Sequence, residues 1–384
     1  MLLYPDQGGY RDVPCIMLGY LSAKWDAPVI DMNLPGMEVH TAGRMKPLHV
    51  AVAVQSRSWG NVAKLAQEHG EWRWHSVTSP IQGMCCYKYL DWRNNIHVEK
   101  LPDQPRYDRF SSYSHFLGRW RSGEWPYAMN TTWGCPYKCT YCAARQTGWN
   151  RRSEDAIHKE ICTATNLGVR SFSILDDCLN VTEKHVLMVS DIFSRFGKEW
   201  SCVNGLRADT LTEAGAYAMS RSGCRTVGFG IETSNEDLLQ DIKKGETIED
   251  IERGLAIARN NFDSVSGYLI LGLPGSSYDV DAATMDWAVD QGIYLHVSFW
   301  VPEDEAGTQK DSLFYGEGAV PGPTYDQTQM QSLMNAGAGL AWGSKRDMRA
   351  NLKGRWRALS QHGPRAAGRL IRMDFKKAWR KAVR

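Results

Sequence analysis

The sequence predicts an α/β protein whose parallel strands curve toward a barrel, and three observations carry that expectation. Between residues 126 and 300 short apolar runs alternate with helix-patterned stretches, the rhythm of strand–helix–strand units. Six of these runs are apolar along most of their length, as strands covered by helices are, which implies parallel pairing through right-handed crossovers. Periodicity alone does not separate an open sheet from a barrel. The third observation favours the barrel: unusual residues fall at the C-terminal ends of successive runs, where parallel α/β folds assemble their sites.

Residues 1–105 read as a separate, shorter α/β unit, with MLLYP, PVIDM (28–32) and LHVAVAV (48–54) as strands and GNVAKLAQEHG (60–70) as a helix. Residues 106–125 read as a linker. The core is expected over 126–320, and its first strand, YAMNTTW (127–133), leads into a run of cysteines. Ser153 caps a helix over 153–166, with Glu154 and Asp155 at its positive end and Ile157, Ile161 and Ala164 on one face. Gly168 stops it. SFSIL (171–175) is the second strand, followed by Asp176 and Asp177; Asn180 with Glu183 opens the next helix. WSCVN (200–204) is the third, followed by Arg207 and Asp209. TVGFGIE (226–232) is the fourth and ends on Glu232, with capped segments following from Ser234 and Thr247. VSGYLILG (265–272) and YLHVSFW (294–300) are the fifth and sixth, and the turn GLPG (272–275) follows the fifth.

At 43% hydrophobic and 23% charged, the composition is that of a globular protein, with room in 384 residues for one large α/β domain or two to three smaller ones. MLLYPDQGGYRDVPC has no basic segment followed by an apolar one, and the most apolar run, 265–275, is too short to span a bilayer. A cytoplasmic protein is expected. In that compartment the ten cysteines serve as packing residues, metal ligands or reactive thiols rather than disulfides.

Three of them, in TTWGCPYKCTYCAARQ (131–146), stand in a C-x3-C-x2-C spacing: Cys135, Cys139 and Cys142. A structural zinc site needs a fourth Cys or His, which Cys162, Cys178, Cys202 or Cys224 would have to supply by folding back. The alternative is a four-iron cluster with thiolates on three irons and an open position on the fourth. Asp176-Asp177 could instead cap the following turn, Glu232 a helix start, and Tyr141 could be core.

With these motifs together, the stretch 125–310 resembles the radical S-adenosylmethionine superfamily, whose hallmark is C-x3-C-x2-C after the first strand of a partial (βα)6 barrel. The resemblance implies a [4Fe-4S] cluster on Cys135, Cys139 and Cys142, with S-adenosylmethionine chelating the open iron. It implies that Tyr141 packs against adenine, that Asp176-Asp177 in ILDDCLN hold the methionine amino group, and that Glu232 in GFGIETS reaches the ribose hydroxyls. It places backbone near Ile270 and Leu271 against adenine, and Arg207 in NGLRAD near polar groups of the ligand. The implied chemistry is reductive cleavage to a 5′-deoxyadenosyl radical, fed by an electron donor of flavodoxin or ferredoxin type.

Within the superfamily, RRSEDAIHKEI, GIETSNEDLLQDIKKGET and LILGLPG most resemble the branch with an N-terminal cobalamin-binding, Rossmann-like domain, many of whose members are methyltransferases or ring-forming enzymes. EVHTAG (38–43) is similar to the D-x-H-x-x-G cobalamin loop, with His40 as the would-be cobalt ligand; an exposed loop histidine is the plainer reading. A methylthiotransferase would need three N-terminal cluster cysteines, and Cys15, Cys85 and Cys86 suit that poorly because two are adjacent. A non-catalytic iron–sulfur or zinc scaffold would not need Asp176, Asp177 and Glu232. Cys178, beside the acidic pair, is either a small buried hydrophobe or a thiol that relays or quenches a radical.

The extension 321–384 is expected to be helical and ends in a basic tail. Residues 345–384 carry a net charge of +12 against −10 for the rest. Gly363-Pro364 should divide this tail into two helices. Its basic faces fit solvent, an anionic membrane surface or nucleic acid.

Overall fold

The computed structural model describes residues 2–4, 16–32, 49–52, 59–69, 71–76, 103–142, 144, 148–300, 326, 328–329 and 332–333. His40, Cys15, Cys85, Cys86 and the basic tail 345–384 lie outside the described residues. The described residues up to 300 divide into two compact units, one within 1–131 and 150–173 and the other within 132–149 and 174–300.

In the first unit the strands β1 (Leu2–Tyr4), β2 (Val29–Asp31), β3 (His49–Val52) and β4 (Arg73–Ser76) form a parallel sheet in the order β2-β1-β3-β4. Two elements here escape sequence reading. The helix α1 (Ile16–Trp25) buries Leu18, Tyr20 and Leu21 completely. A helix apolar on most sides shows no 3.6-residue stripe. Strand β4 reads RWHS, whose charge and polarity disguise it. The anticipated helix is α2 (Trp59–Glu68).

The expected linker 106–125 proves to carry structure. It holds α3 (Tyr113–Ser122), closed by Gly123 at φ 76°, with Phe116 and Trp120 buried one turn apart. Arginines on its other faces made the segment look solvent-borne. Tyr107 packs edge-on against Trp120 and Tyr127, with centroids 5.7 and 5.5 Å away, so this segment is part of a core.

The same unit contains a buried ion pair. Glu160 of α4 (Glu154–Asn166) lies 2.6 Å from Arg152 and accepts hydrogen bonds from the Tyr20 hydroxyl at 2.7 Å and the Tyr127 hydroxyl at 3.1 Å. Arg152 also donates to the Asn130 carbonyl at 2.7 Å. Both charges are thereby partnered, the condition on which a buried pair is tolerated.

The six-stranded sheet consists of β5 (Tyr127–Met129), β6 (Ser171–Ile174), β7 (Glu199–Leu206), β8 (Cys224–Glu232), β9 (Ser264–Leu271) and β10 (Tyr294–Phe299). Spatial order follows chain order without reversal, the winding of a barrel rather than of a doubly wound sheet. Strands β7 to β10 pair in parallel. Between them run α5 (Glu183–Phe196), α6 (Glu213–Arg221), α7 (Glu236–Asp241), α8 (Ile248–Asn261) and α9 (Tyr278–Asp290).

Side-chain caps explain most helix starts. Ser153 accepts from Ala156 N–H as expected, and Thr247 forms a full capping box with Asp250. Two starts differ from expectation by a residue or two. Thr182, not Asn180, caps α5, and Asn235, not Ser234, caps α7. Asn180 is occupied elsewhere: its amide brackets the backbone of Arg207, donating to the carbonyl at 2.7 Å and accepting from the N–H at 3.0 Å. Among the described residues no helix is long and apolar enough to cross a membrane.

Candidate active site at the strand ends

The unit that holds β7 to β10 also holds the cysteine loop 132–149, so every site contact described next lies within one body. Three ties set the loop. Gly134, at φ 80°, donates its N–H to Asp177 Oδ2 at 2.8 Å; Thr140 N–H donates to the Ile242 carbonyl at 2.9 Å; and Cys142 N–H donates to the Cys139 carbonyl at 3.2 Å. Cys139 is buried, Cys135 and Cys142 are half-buried, and none of the three is in a disulfide.

Burial pushes the Cys142 thiol up to about 11, whereas a hydrogen bond from the Cys178 thiol brings Cys135 down to about 7. Cys139 is raised by burial and partly relieved by the positive charges of Lys244 and Arg207. Among the described residues no three Cys, His, Asp or Glu side chains converge as they would on a single ion. Thiolates on separate irons of a cluster stand further apart than ligands of one ion. A cluster on three thiolates is anionic, and two buried cations beside the loop suit it.

Strand β8 ends in an irregularity between Gly230 and Glu232, and Glu232 itself adopts φ 70°. A left-handed glutamate costs of order 1–3 kcal/mol and persists where the surroundings over-determine it. Here they do. Glu232 Oε1 accepts from the Tyr141 hydroxyl at 2.8 Å and from Lys244 Nζ at 3.3 Å, and Lys244 Nζ also reaches the Tyr141 oxygen at 3.3 Å. A side chain at position 230 would meet Glu232 Oε1 at 2.7 Å and Lys244 Nζ at 3.0 Å, so only glycine leaves space for the pair. Burial, and after it the Glu232 charge, drive the Tyr141 hydroxyl well above its ordinary range, so it stays protonated and donates.

Arg207 stands at the end of β7 and is committed to the protein. It grips Asp209 through two hydrogen bonds of 3.0 and 2.9 Å, donates to the carbonyls of Lys244 at 2.9 Å and Gly245 at 3.2 Å, and lies 3.8 Å over the Tyr137 ring. The geometry makes it a brace between the third and fourth strand ends. Glu246 completes that brace, accepting the N–H groups of Ala208 at 2.8 Å and Asp209 at 3.1 Å while its other oxygen lies 3.4 Å from Lys244 Nζ.

At the second strand end Asp176 is fully buried, and Asp177 is the residue that ties down Gly134. Cys178 is buried, with its carbonyl held by Trp149 Nε1 at 3.0 Å and Thr132 Oγ1 at 3.5 Å. A Cβ at Gly205 would lie 2.1 Å from the Asp176 carbonyl, so the second and third strand ends are in direct backbone contact. At the fifth, Ile270 is half-buried and Leu271 fully buried, each registered against β10. The turn beyond is fixed by Asp281, which accepts from Gly272 N–H at 2.7 Å and the Ser276 hydroxyl at 2.6 Å.

The structure thus brings Tyr141 to Glu232, Asp177 to the cysteine loop, and Cys178 to Cys135. Sequence reading missed Lys244, Glu246, Tyr137 and the bridging task of Asn180. In KKGET (243–247) the only signal was a glycine between charged residues ahead of a cap, which is also what an exposed loop looks like. Tyr137 carried a better signal, an aromatic inside the cysteine spacing.

The donor set fits the two groups implied by the motifs: three neighbouring thiols among cations, and a carboxylate with a buried phenol at the next wall. Residues 129–288 match the family model described as the radical SAM superfamily. An uncharacterized methyltransferase of Pyrococcus horikoshii is 26% identical over 197 residues, which is 50% of this chain and 42% of the relative. Cytidylyl-2-hydroxyethylphosphonate methyltransferase of Streptomyces wedmorensis is 25% identical over 221 residues, 54% of this chain and 41% of the relative. The chain therefore spans about two fifths of the length of these curated relatives. Among solved structures, the radical S-adenosylmethionine methyltransferase TsrM of Kitasatospora setae, with cobalamin and a [4Fe-4S] cluster bound, aligns with a TM-score of 0.62. It covers 81% of this chain and 76% of its own at 14% identity, a likeness of fold.

Proposed function

We propose that this chain, whose residues 129–288 match the radical SAM superfamily model, carries a [4Fe-4S] cluster on Cys135, Cys139 and Cys142, binds S-adenosylmethionine beside it, and transfers a methyl group. The observation that carries the reading is the meeting of the cysteine loop with the fourth strand end, where the Tyr141 hydroxyl donates to Glu232 at 2.8 Å. Bound there, the cluster and S-adenosylmethionine supply one-electron cleavage of the sulfonium, with electrons from an external reductant.

The chain's own residues orient and shield. Glu232 presents a carboxylate for the ribose hydroxyls, and Tyr141 presents its ring for adenine with backbone near Ile270 and Leu271 behind it. Asp176 and Asp177 supply negative charge for an amino group. Arg207 and Glu246 keep the third and fourth strand ends at fixed separation. Lys244 and Arg207 favour thiolates in the loop by charge.

Methyl transfer rests on the names of the relatives, and a cobalamin partner rests on a separate observation. In the N-terminal sheet the order β2-β1-β3-β4 reverses direction between β1 and β3. Parallel sheets of this winding take ligands at that switch point. One experiment addresses both cofactors. Anaerobic reconstitution of the full chain with iron, sulfide and hydroxocobalamin, followed by gel filtration, should leave about four irons and one corrinoid per chain. Iron without corrinoid would remove cobalamin from the account. No bound iron would overturn the whole of it.

A further inference from the structure

Lys244 sits on the turn between α7 and α8, and the turn is shaped to deliver it. The residues on either side, Lys243 and Gly245, adopt φ 53° and 69°. Arg207 holds the carbonyls of Lys244 and Gly245, and Glu246 is pinned by two backbone N–H groups. The lysine side chain is only 6% exposed. Its ammonium reaches Glu232 Oε1 and the Tyr141 oxygen, each at 3.3 Å, and Glu246 Oε2 at 3.4 Å.

A buried ammonium needs both an opposite charge and hydrogen bonds. Glu246 supplies charge at 3.4 Å without a hydrogen bond to its Oε2, and the ammonium spends its hydrogen bonds on Glu232 and Tyr141. Both hydrogen bonds to Glu232 fall on Oε1, and among the described residues Oε2 accepts none. The carboxylate is clamped by one oxygen and left with the other to offer.

We propose that Lys244 is a positioning residue for the nucleoside of the cofactor: its ammonium, with the Tyr141 hydroxyl, fixes Glu232 so that Oε2 meets the vicinal hydroxyls of a ribose. This deepens the preceding reading and rests on it for the identity of the ligand. Lys244 acts through Glu232, so its loss should resemble the loss of Glu232 and add nothing to it.

The test is equilibrium binding to the full-length chain, with 5′-deoxyadenosine as the probe for the ribose side and methionine as the probe for the iron-chelating side. Lys244→Met should weaken 5′-deoxyadenosine binding about tenfold, the loss of one charge-assisted contact. Glu232→Gln should do the same, and the double variant should be no weaker than either, the signature of a coupled pair. Lys244→Arg, which keeps the charge, should lose less than Lys244→Met, and methionine binding should be unchanged throughout. Multiplying losses in the double variant, or wild-type affinity in Lys244→Met, would overturn the proposal. If Lys244→Met does not fold, unchanged 5′-deoxyadenosine binding in Tyr141→Phe and Glu232→Gln would overturn it equally. Because 5′-deoxyadenosine does not chelate iron, a wild-type chain that binds it but loads no cluster would count against the cluster alone. A wild-type chain that binds no 5′-deoxyadenosine would refute Lys244's role.

Discussion

At the scale of single residues, the site depends on backbone shape as much as on side-chain type. Glu232 faces Tyr141 and Lys244 because φ 70° and the irregularity after Gly230 turn it there, and because position 230 has no side chain. Replacing the carboxylate by an amide keeps the shape and removes the charge that holds the buried Lys244 and that the proposed ribose contact would use. Glu232→Gln should therefore raise the dissociation constant for S-adenosylmethionine by about tenfold to a hundredfold, with iron content unchanged, as measured by equilibrium dialysis. Equal affinity would detach Glu232 from the ligand. The placement of Glu232 and the acidic pair at strand ends beside the cysteine loop was legible in the sequence, because each closes an apolar run. Lys244 and Glu246 were not, since burial turns an ordinary loop into a charged core. That burial is decided by Arg207, 37 positions away from Lys244.

Among the elements, strands and most helices followed from apolar runs and caps, and the failures share a cause. The helix α1 has no polar face to mark its period, and α3 has a polar face so basic that its buried Phe116 and Trp120 went unnoticed. Asn180 carried a capping signal that Thr182 fulfils, because the asparagine is needed by the backbone of Arg207. The same dependence on distant partners governs Glu160, which joins helix α4 to Arg152, Tyr20 and Tyr127. Removing one charge strands the other in a dry site. Arg152→Met should cost about 3–5 kcal/mol in denaturant unfolding of the full chain, and Arg152→Met with Glu160→Met should recover much of it. A loss below about 1 kcal/mol in the single variant would place the pair in water.

For the molecule as a whole, two windings are present. The N-terminal sheet reverses strand order between β1 and β3, and the larger sheet follows chain order throughout. Periodicity predicted strands in both units but could not give their order, because order is set by crossover direction and not by local pattern. The placement of cysteines, carboxylates and glycine turns at strand ends supplied what periodicity lacked. The central claim is that this chain cleaves S-adenosylmethionine at a cluster held by Cys135, Cys139 and Cys142. The most direct measurement is anaerobic: the reconstituted chain, reduced with dithionite and given S-adenosylmethionine, is assayed for 5′-deoxyadenosine by mass spectrometry beside Cys139→Ala. The account predicts 5′-deoxyadenosine from the wild type and none from the variant. A fully loaded wild-type cluster that binds S-adenosylmethionine and yields no 5′-deoxyadenosine would contradict it.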